Sequence, residues 1–441
     1  MTPQNEVEPV STEELRDAWP ILSRQDRVEG FRMVPHATAD DFFLSLSAIE
    51  QADLLESLAP GERRTWMRLL APDDAVDVIQ ASSPGVREEL LAQLDDTTRR
   101  EVLALLAYAE DDAGGLMNPR FARLRPEMTI DEAISYLRKQ TREKVETVYY
   151  AYVLDPHQKL LGVVSLRQLF QASPGKLVRD IMKTDLVTAP ESMDQEAVSR
   201  LVAENALMAI PVVDAEGKMK GIVTVDDIVD VVQEEATEDI QKVGGMEALD
   251  MPYFETSFLE LVKKRAGWLT ILFVGEMLTT TALAGFEGEI AKAVVLSLFM
   301  PLIISSGGNS GSQASTLIIR AMALSEVRLR DWWRVMNREI ASGLSLGLVL
   351  ASVGLLRITI WHYAFGAYGE HWFLIGLTVA ISLVGVVLWG TLSGSMLPFV
   401  LRRVGLDPAS ASAPFVATLV DVTGLIIYFT AASVVLKGTL L

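Results

Sequence analysis

The stretch AVVLSLFMPLIISSGGNSGSQASTLIIRAMAL, residues 293–324, decides what kind of protein this is. Its two ends are apolar enough for the interior of a bilayer. Its middle, Ser305–Ser315, has the composition of a flexible loop, and Ala314 is its sole apolar residue other than glycine. Read as one piece, it is a membrane-crossing helix interrupted by glycine, serine, asparagine and glutamine. Irregular backbone at that depth is tolerated only where it is buried in protein or lines a water-filled cavity.

Four more apolar stretches of spanning length surround it, each able to cross about 30 Å of hydrocarbon. The five expected spans lie near 266–286, 291–315, 340–360, 373–400 and 412–436. Lys263, Lys264 and Arg265 precede the first; Arg320, Arg328, Arg330, Arg334 and Arg338 lie between the second and third; Arg402 and Arg403 lie between the fourth and fifth. By the positive-inside rule these loops share the cytosolic side, which leaves the N-terminus in the cytosol and the C-terminus outside. The opposite loops hold only Lys292 and Arg357 at their edges.

Ahead of the spans the chain is acidic. Residues 1–262 carry 26 Lys and Arg against 49 Asp and Glu, whereas residues 263–441 carry 13 against 9. A charge that negative repels nucleic-acid phosphates and favours cations as partners, so nucleic-acid binding is set aside. No cysteine is present, which excludes disulfides, thiolate metal sites and cysteine nucleophiles. The first residues, MTPQNEVEPVSTEELRD, are acidic where a signal peptide is basic and then apolar. After a tail over 1–26, apolar residues recur every three or four positions through residue 116 and predict a small all-helical domain.

Residues 117–232 hold two similar units. VYYAYVLD and LLGVVSL around the turn PHQK match AIPVVDAEGKMKGIVTVDDIVDVV, each a strand ending in Asp, a turn, and a strand running into a helix. This resembles a tandem pair of CBS domains, an α+β module. The second copy has Gly221, Thr224 and Asp227 as G-x-x-T-x-x-D; in the CBS family that Thr and Asp hold a nucleotide ribose. Bound but unhydrolysed ATP is therefore an expectation at Thr224 and Asp227, against a pair that binds no nucleotide. The first copy has Ser165 but Gln168. An acidic connecting helix is expected over 233–262, ahead of a five-helix transmembrane domain over 263–441.

Two carboxylates fall deep in the spans, Asp421 in PFVATLVDVTGLIIYF and Glu276 in WLTILFVGEMLTTTAL. A charge there costs at least a few kcal/mol and marks a partner or a water-filled path. Around Asp421, helical spacing makes a small, polar face of Pro414, Ala417, Thr418, Gly424 and Tyr428, which suits a pore wall and a helix contact equally. The alternative for Asp421 is a structural hydrogen bond to a neighbouring helix. Carboxylate is a hard ligand, and the four histidines all lie outside the span cores, so Mg2+, which keeps its waters and takes one or two carboxylates, is the natural ion.

The motifs P-x5-GGN-x-G-x-Q (Pro301–Gln313), RAMA from Arg320 and DP-A-x5-PFVATLVDVTG (Asp407–Gly424) resemble the MgtE family of magnesium channels and transporters. AEDDAGGLM before the paired units and VTVDDIVDVVQEEATEDI after them are similar to it as well, so the resemblance covers nearly the whole chain. It implies a homodimer in the cell's inner membrane, with one central pore made by the second and fifth spans and Asp421 of both copies on hydrated Mg2+. With that pore, the polar stretch of the second span and the small face around Asp421 make Gly307, Gly308, Asn309, Ala417 and Thr418 the expected pore-lining residues. It also implies regulatory Mg2+ ligands at Asp214, Glu216, Asp226, Glu247, Asp250 and Glu255, at Asp407 near the inner mouth, and more weakly at Asp95. Glu276 has no place in that pattern.

Between residues 201 and 262 there are 14 acids and 3 bases, enough for mutual repulsion that bridging Mg2+ would relieve, closing the pore. Plain solvated surface is the other reading of those acids. A broader divalent transporter (Mn2+, Co2+, Zn2+) and a membrane Mg2+ sensor without a pore are the rival functions. An intramembrane metalloprotease needs H-E-x-x-H, which His36, His157, His362 and His371 never form. With a path in view, Ser305–Ser315 reads as helix, bend and pore wall together. The carbonyls freed near Gly307–Asn309 would serve a hydrated cation, and Gly307→Leu or Asn309→Leu is expected to impair flux more than folding. A tight G-x-x-x-G helix crossing is the plainer reading.

Overall fold

The computed structural model describes residues 11–440 apart from 142–144, 250, 252 and 255. The chain divides into two compact units, residues 1–234 and 235–441.

The first unit opens with helices α1 (Thr12–Ala18), α2 (Arg24–Met33), α3 (His36–Leu44), α4 (Ala48–Ser57), α5 (Pro60–Met67), α6 (Pro72–Ala81), α7 (Pro84–Gln93) and α8 (Asp96–Leu105). Their starts are written locally. Ser11, Ser23, Ser47 and Asp95 each accept backbone N–H bonds of the first turn, and proline opens α5, α6 and α7, where its missing N–H costs nothing. Alternate helices stack, α2 on α4, α4 on α6 and α6 on α8, closing over Phe43, Leu55, Met67 and Val78. The expected tail is helical from Thr12, and its Leu15 and Trp19 sit in this core.

After α9 (Ala113–Leu116) come the paired units: β1 (Arg123–Leu124), α10 (Ile130–Gln140), β2 (Tyr150–Leu154), β3 (Leu160–Ser165) and α11 (Leu166–Gln171), then β4 (Ala189–Pro190), α12 (Gln195–Asn205), β5 (Ala209–Val213), β6 (Met219–Thr224) and α13 (Val225–Val243). Both sheets have three strands, with one parallel and one antiparallel pairing, and both slip register at the last residue of the middle strand. The helix expected over 233–262 is instead α13, which begins at Val225 within the second copy and ends at Val243.

The second unit holds α14 (Phe258–Ala284), α15 (Glu287–Lys292), α16 (Met300–Ala323), α17 (Trp332–Phe365), α18 (Trp372–Arg403) and α19 (Ala413–Val435). Among the described residues, five segments are long and apolar enough to cross a membrane: α14, residues 294–323 ending in α16, residues 329–365 containing α17, α18 and α19. The interrupted helix of the sequence reading is not interrupted: α16 runs unbroken through Ser305–Ser315. Its carbonyls there are not freed. Glycine is a poor helix former in water, but in a bilayer an unbroken helix satisfies every backbone group, and the missing side chains serve packing instead.

The packing is backbone on backbone. A Cβ added to Gly390 of α18 would fall on the carbonyl oxygen of Gly307, and one added to Gly394 on that of Gly311. In return a Cβ on Gly311 would lie 2.8 Å from Gly390 O. The serines of the stretch bind neighbours on two sides: toward α18 the Ser310 and Thr391 hydroxyls lie 2.7 Å apart, and at the entry to α19 Ser312 donates to Ala413 O at 3.1 Å and Ser315 to Ala411 O at 2.7 Å. A side chain at Gly307 would strike Val386, so Gly307→Leu disrupts folding first, contrary to the sequence expectation.

Gly390→Ala is expected to destabilise the folded transmembrane unit by about 1–3 kcal/mol, the usual cost of an overpacked contact. Gly288→Ala, with nothing within 4 Å of the added methyl, is expected to change nothing. Thermal unfolding of the two detergent-solubilised variants compares them directly.

Candidate functional site

In the second unit the site is built around α19, whose faces are divided among three neighbours. Val420 and Gly424 face Val386 and Gly307, and Trp389 Nε1 of α18 donates to Thr423 Oγ1 at 2.7 Å. Ala417 meets Gly308 of α16, where a Cβ would sit 3.5 Å away. Toward α14, Thr418 lies 2.9 Å from where a Cβ on Gly275 would be. Asp421 is half-buried one turn further on, with its carboxyl within hydrogen-bonding reach of Glu276.

Beside it α16 presents Ser305, Asn309, Gln313, Thr316 and Arg320, all exposed and spaced along one helical face. Asn309 Nδ2 reaches only Ser305 Oγ, at 3.4 Å. An open polar stripe on a bilayer-crossing helix is unfavourable against acyl chains, so this face meets water or protein. Of the five residues expected to line a path, Asn309 is on the open face, Ala417 and Thr418 are half-buried, and Gly307 and Gly308 are buried. Gly307 directs its carbonyl at Gly390 and is a packing residue.

Asp407 is engaged from two sides. Its Oδ1 accepts from Ala409 N at 2.8 Å, and its Oδ2 accepts from Lys242 Nζ at 2.7 Å. Lys242 also pairs with Glu238. Burial works against that ammonium, but the bonds to Asp407 and Glu238 outweigh it and raise its pKa. A cation thus already stands at Asp407, supplied by the chain itself. Glu247 is exposed in the connection after α13, its N–H donating to Lys264 O at 3.2 Å. Asp250 and Glu255 lie outside the described residues.

In the first unit two of the expected ligands are local structure. Asp95 caps α8, accepting from Thr97 N and Thr98 N at 3.0 Å and from Thr98 Oγ1 at 2.9 Å, bonds that hold its carboxyl down at about 2. Asp214 ties the turn after β5, accepting from Glu216 N at 3.1 Å and Lys218 N at 2.8 Å and pairing with Lys220. Asp155 does the same in the first copy, accepting from His157 N and Lys159 N, so the role belongs to the repeat. Glu216 is exposed in the same turn.

The acids that do gather were mostly missed. α6 begins PDDAVDVIQ and α13 begins VDDIVDVVQ, and these near-identical runs face each other: Asp74 interacts with Asp226 and Asp230, and both Asp73 and Asp77 interact with Asp227. Asn118 Nδ2 donates to Asp73 at 3.0 Å and to Glu146 at 2.8 Å, adding another carboxylate. Crowding out of water, then like charge from Asp74, Asp227, Glu110 and Glu234, pushes Asp77 up to about 8. Asp227 rises to about 7, because burial and neighbouring carboxylates outweigh its bonds from Thr224. Asp74 and Asp77 keep a face open to solvent, so ions can reach them. Among the described residues no preformed cage of three ligating side chains exists; the arrangement suits hydrated cations bridging two surfaces. The repeated D-D-x-V-D-V run was the available signal.

Thr224 and Asp227, expected to hold a ribose, hold each other. Thr224 Oγ1 donates to Asp227 Oδ2 at 2.6 Å and its N–H donates to the same oxygen at 3.0 Å. Ser165 repeats this in the first copy, its hydroxyl and its N–H both donating to Gln168 Oε1.

Comparison with known proteins agrees in each region. A model of the divalent cation transporter family MgtE matches residues 300–431, one of the MgtE intracellular N domain matches 10–111, and CBS domain models match 113–175 and 178–234. The magnesium transporter MgtE of Thermus thermophilus is 40% identical over 98% of this chain and 94% of its own. That of Bacillus subtilis is 30% identical over 90% and 86%. The crystal structure of the cytosolic domain of the Mg2+ channel MgtE in complex with ATP is 40% identical, with a TM-score of 0.47 over 51% of this chain and 91% of that one. These relatives are transporters and not enzymes. With a helical N domain, a CBS pair and five candidate spans in the same order, the chain belongs to the MgtE family of magnesium transporters.

Proposed function

We propose that two copies of this chain form a Mg2+-gated channel for Mg2+ uptake, with Asp421 of each copy as the ion-binding carboxylate. The observation that supports this best is a half-buried carboxylate at mid-span of α19, one turn past the Ala417–Gly308 contact with α16, a helix whose Ser305, Asn309 and Gln313 face is open and polar. Neither feature suits lipid, and both suit a water-filled path shared by two copies. A hydrated divalent ion is held by carboxylate and amide oxygens at its water shell, which Asp421 and Asn309 can offer. The membrane potential alone drives entry, at about 4.6 kcal/mol per 100 mV for a double charge. The arginines at the ends of α16, α17 and α18 favour an inner-membrane orientation with the C-terminus outside.

Gating in this reading belongs to the acids. Mg2+ bridges the α6 and α13 runs, with Asp226 among its ligands; Glu247, Asp250 and Glu255 are further Mg2+ ligands of the connection after α13. Bound there more tightly in the closed than in the open state, Mg2+ shifts the population toward closed. Adenine nucleotide at the second CBS copy is a secondary proposal, supported by the G-x-x-T-x-x-D spacing; a ribose there would replace the Thr224 to Asp227 bond.

Three outcomes follow. Asp421→Asn in liposomes is expected to abolish Mg2+ uptake; a wild-type flux would leave a poreless sensor as the better reading, and Mn2+, Co2+ and Zn2+ competing equally with Mg2+ would favour a broad divalent transporter. Asp74→Asn with Asp77→Asn is expected to raise the Mg2+ concentration that half-inhibits uptake by about fivefold or more. The pH dependence has a definite sign. Asp77 and Asp227 have pKa values raised above the ordinary carboxylate value of 3.8, to about 8 and about 7. Their protonation stabilises the folded first unit, where the α6 and α13 acids lie near one another, at low pH, and that stabilisation is lost as pH rises from about 4 to about 8. The thermal midpoint of the cytosolic transition should therefore fall over this window without Mg2+ and gain most from Mg2+ at its upper end.

A further inference from the structure

Glu276 has no assigned role, yet its surroundings are specific. α14 and α19 run side by side in the same direction, in a register fixed at three levels. Trp268 Nε1 donates to Ser412 Oγ at 3.2 Å, and the Trp268 and Phe415 rings lie 6.4 Å apart. Gly275 meets Thr418, with only 2.9 Å between that residue's Cγ2 and an imagined Cβ on the glycine. Just past the end of α14, Phe286 stacks on Phe429 at 4.9 Å. Between the last two levels the register brings Glu276 to Asp421. Gly275 is what lets the helices close to that distance.

Leu269, Ile271, Phe273, Val274, Met277 and Leu278 are exposed around Glu276, as suits a helix at mid-bilayer. Glu276 is exposed too. A carboxylate turned to acyl chains is strongly disfavoured, and two carboxylates side by side repel each other. A cation held between them, on a face turned to the water path, removes both penalties. No basic side chain takes that place among the described residues, since none of the ion pairs includes Glu276 or Asp421.

We propose that Glu276 is a second ion-coordinating carboxylate of the transport path, so that each copy offers Mg2+ an Asp421–Glu276 pair instead of a single acid. This rests on the reading of Asp421 as the path's carboxylate. Doubling the fixed charge favours a divalent over a monovalent cation, because only the divalent ion neutralises the pair within one copy. The competing role is a helix-to-helix hydrogen bond, and Glu276→Gln separates the two. Glutamine keeps the length and can donate to Asp421, so it preserves a structural bond while removing the charge.

The test measures Mg2+ uptake against Mg2+ concentration for the full chain in liposomes. For Glu276→Gln the half-saturating concentration is expected to rise about tenfold, the scale seen when a group supporting a metal site is removed, with increased K+ leak relative to Mg2+. Glu276→Asp should give an intermediate shift. Glu276→Ala, which reaches nothing on α19, is the second variant if glutamine impairs folding, and the same rise is expected. Wild-type half-saturation and K+ exclusion in these variants, with Asp421→Asn inactive, would overturn the role of Glu276 and leave Asp421 standing. Wild-type uptake by Asp421→Asn would overturn both readings.

Discussion

The contact on which the transmembrane unit depends is glycine against glycine, Gly307 and Gly311 of α16 on Gly390 and Gly394 of α18. In a bilayer the hydrophobic effect does not hold helices together, because lipid tails are as apolar as leucine. Close dispersion contact and interhelical hydrogen bonds must do so. The four glycines allow the backbones to touch, and that approach sets the distance at which Ser310 finds Thr391, while Ser315 ties α16 to Ala411 O ahead of α19. α19 is then placed against both helices through Val416, Val420 and Gly424, and the rotation of α19 decides where Asp421 faces. A packing constraint thereby becomes an electrostatic one.

The first unit inverts this logic. Its helices and sheets close over ordinary apolar cores, but its most unusual surface is where like charges are pressed together. The α6 and α13 acid runs are held by the packing around them, with Asn118 joining Asp73 to Glu146. Carboxylates kept near one another by a rigid scaffold raise each other's proton affinity and cation affinity alike. The strain is therefore a measure of what the surface binds. Asp407 offers a contrast, because there the chain meets its own carboxylate with Lys242 and no outside cation is required.

Much of this was legible in the sequence, for identifiable reasons. The five spans follow from length and hydropathy, and the paired β-β-α units follow from repeated strands ending in Asp155 and Asp214. What the sequence concealed was three-dimensional. Ser305–Ser315 looked like a break because helix propensity is learned from water, where glycine and serine lose to solvent competition. The resemblance marks Asp95 and Asp214 as ligands, but it does not reveal the N–H groups of their own turns that each carboxylate already accepts. The α6 acids were overlooked because they lie far from α13 along the chain, although PDDAVDVIQ and VDDIVDVVQ share their spacing.

The same reasoning separates the two acids at mid-bilayer from all the others. A cytosolic carboxylate can always be solvated, so its position alone says little. Asp421 and Glu276 have no such option, and each must be explained by what lies against it. α14 supplies no buried residue of its own; it touches the unit chiefly through α19. A helix so lightly attached, bearing a carboxylate at the level of Asp421, adds charge to the path more than it adds stability to the fold. That asymmetry is what makes an isosteric neutral substitution at Glu276 informative, because the fold has little to lose there and the ion has a ligand to lose.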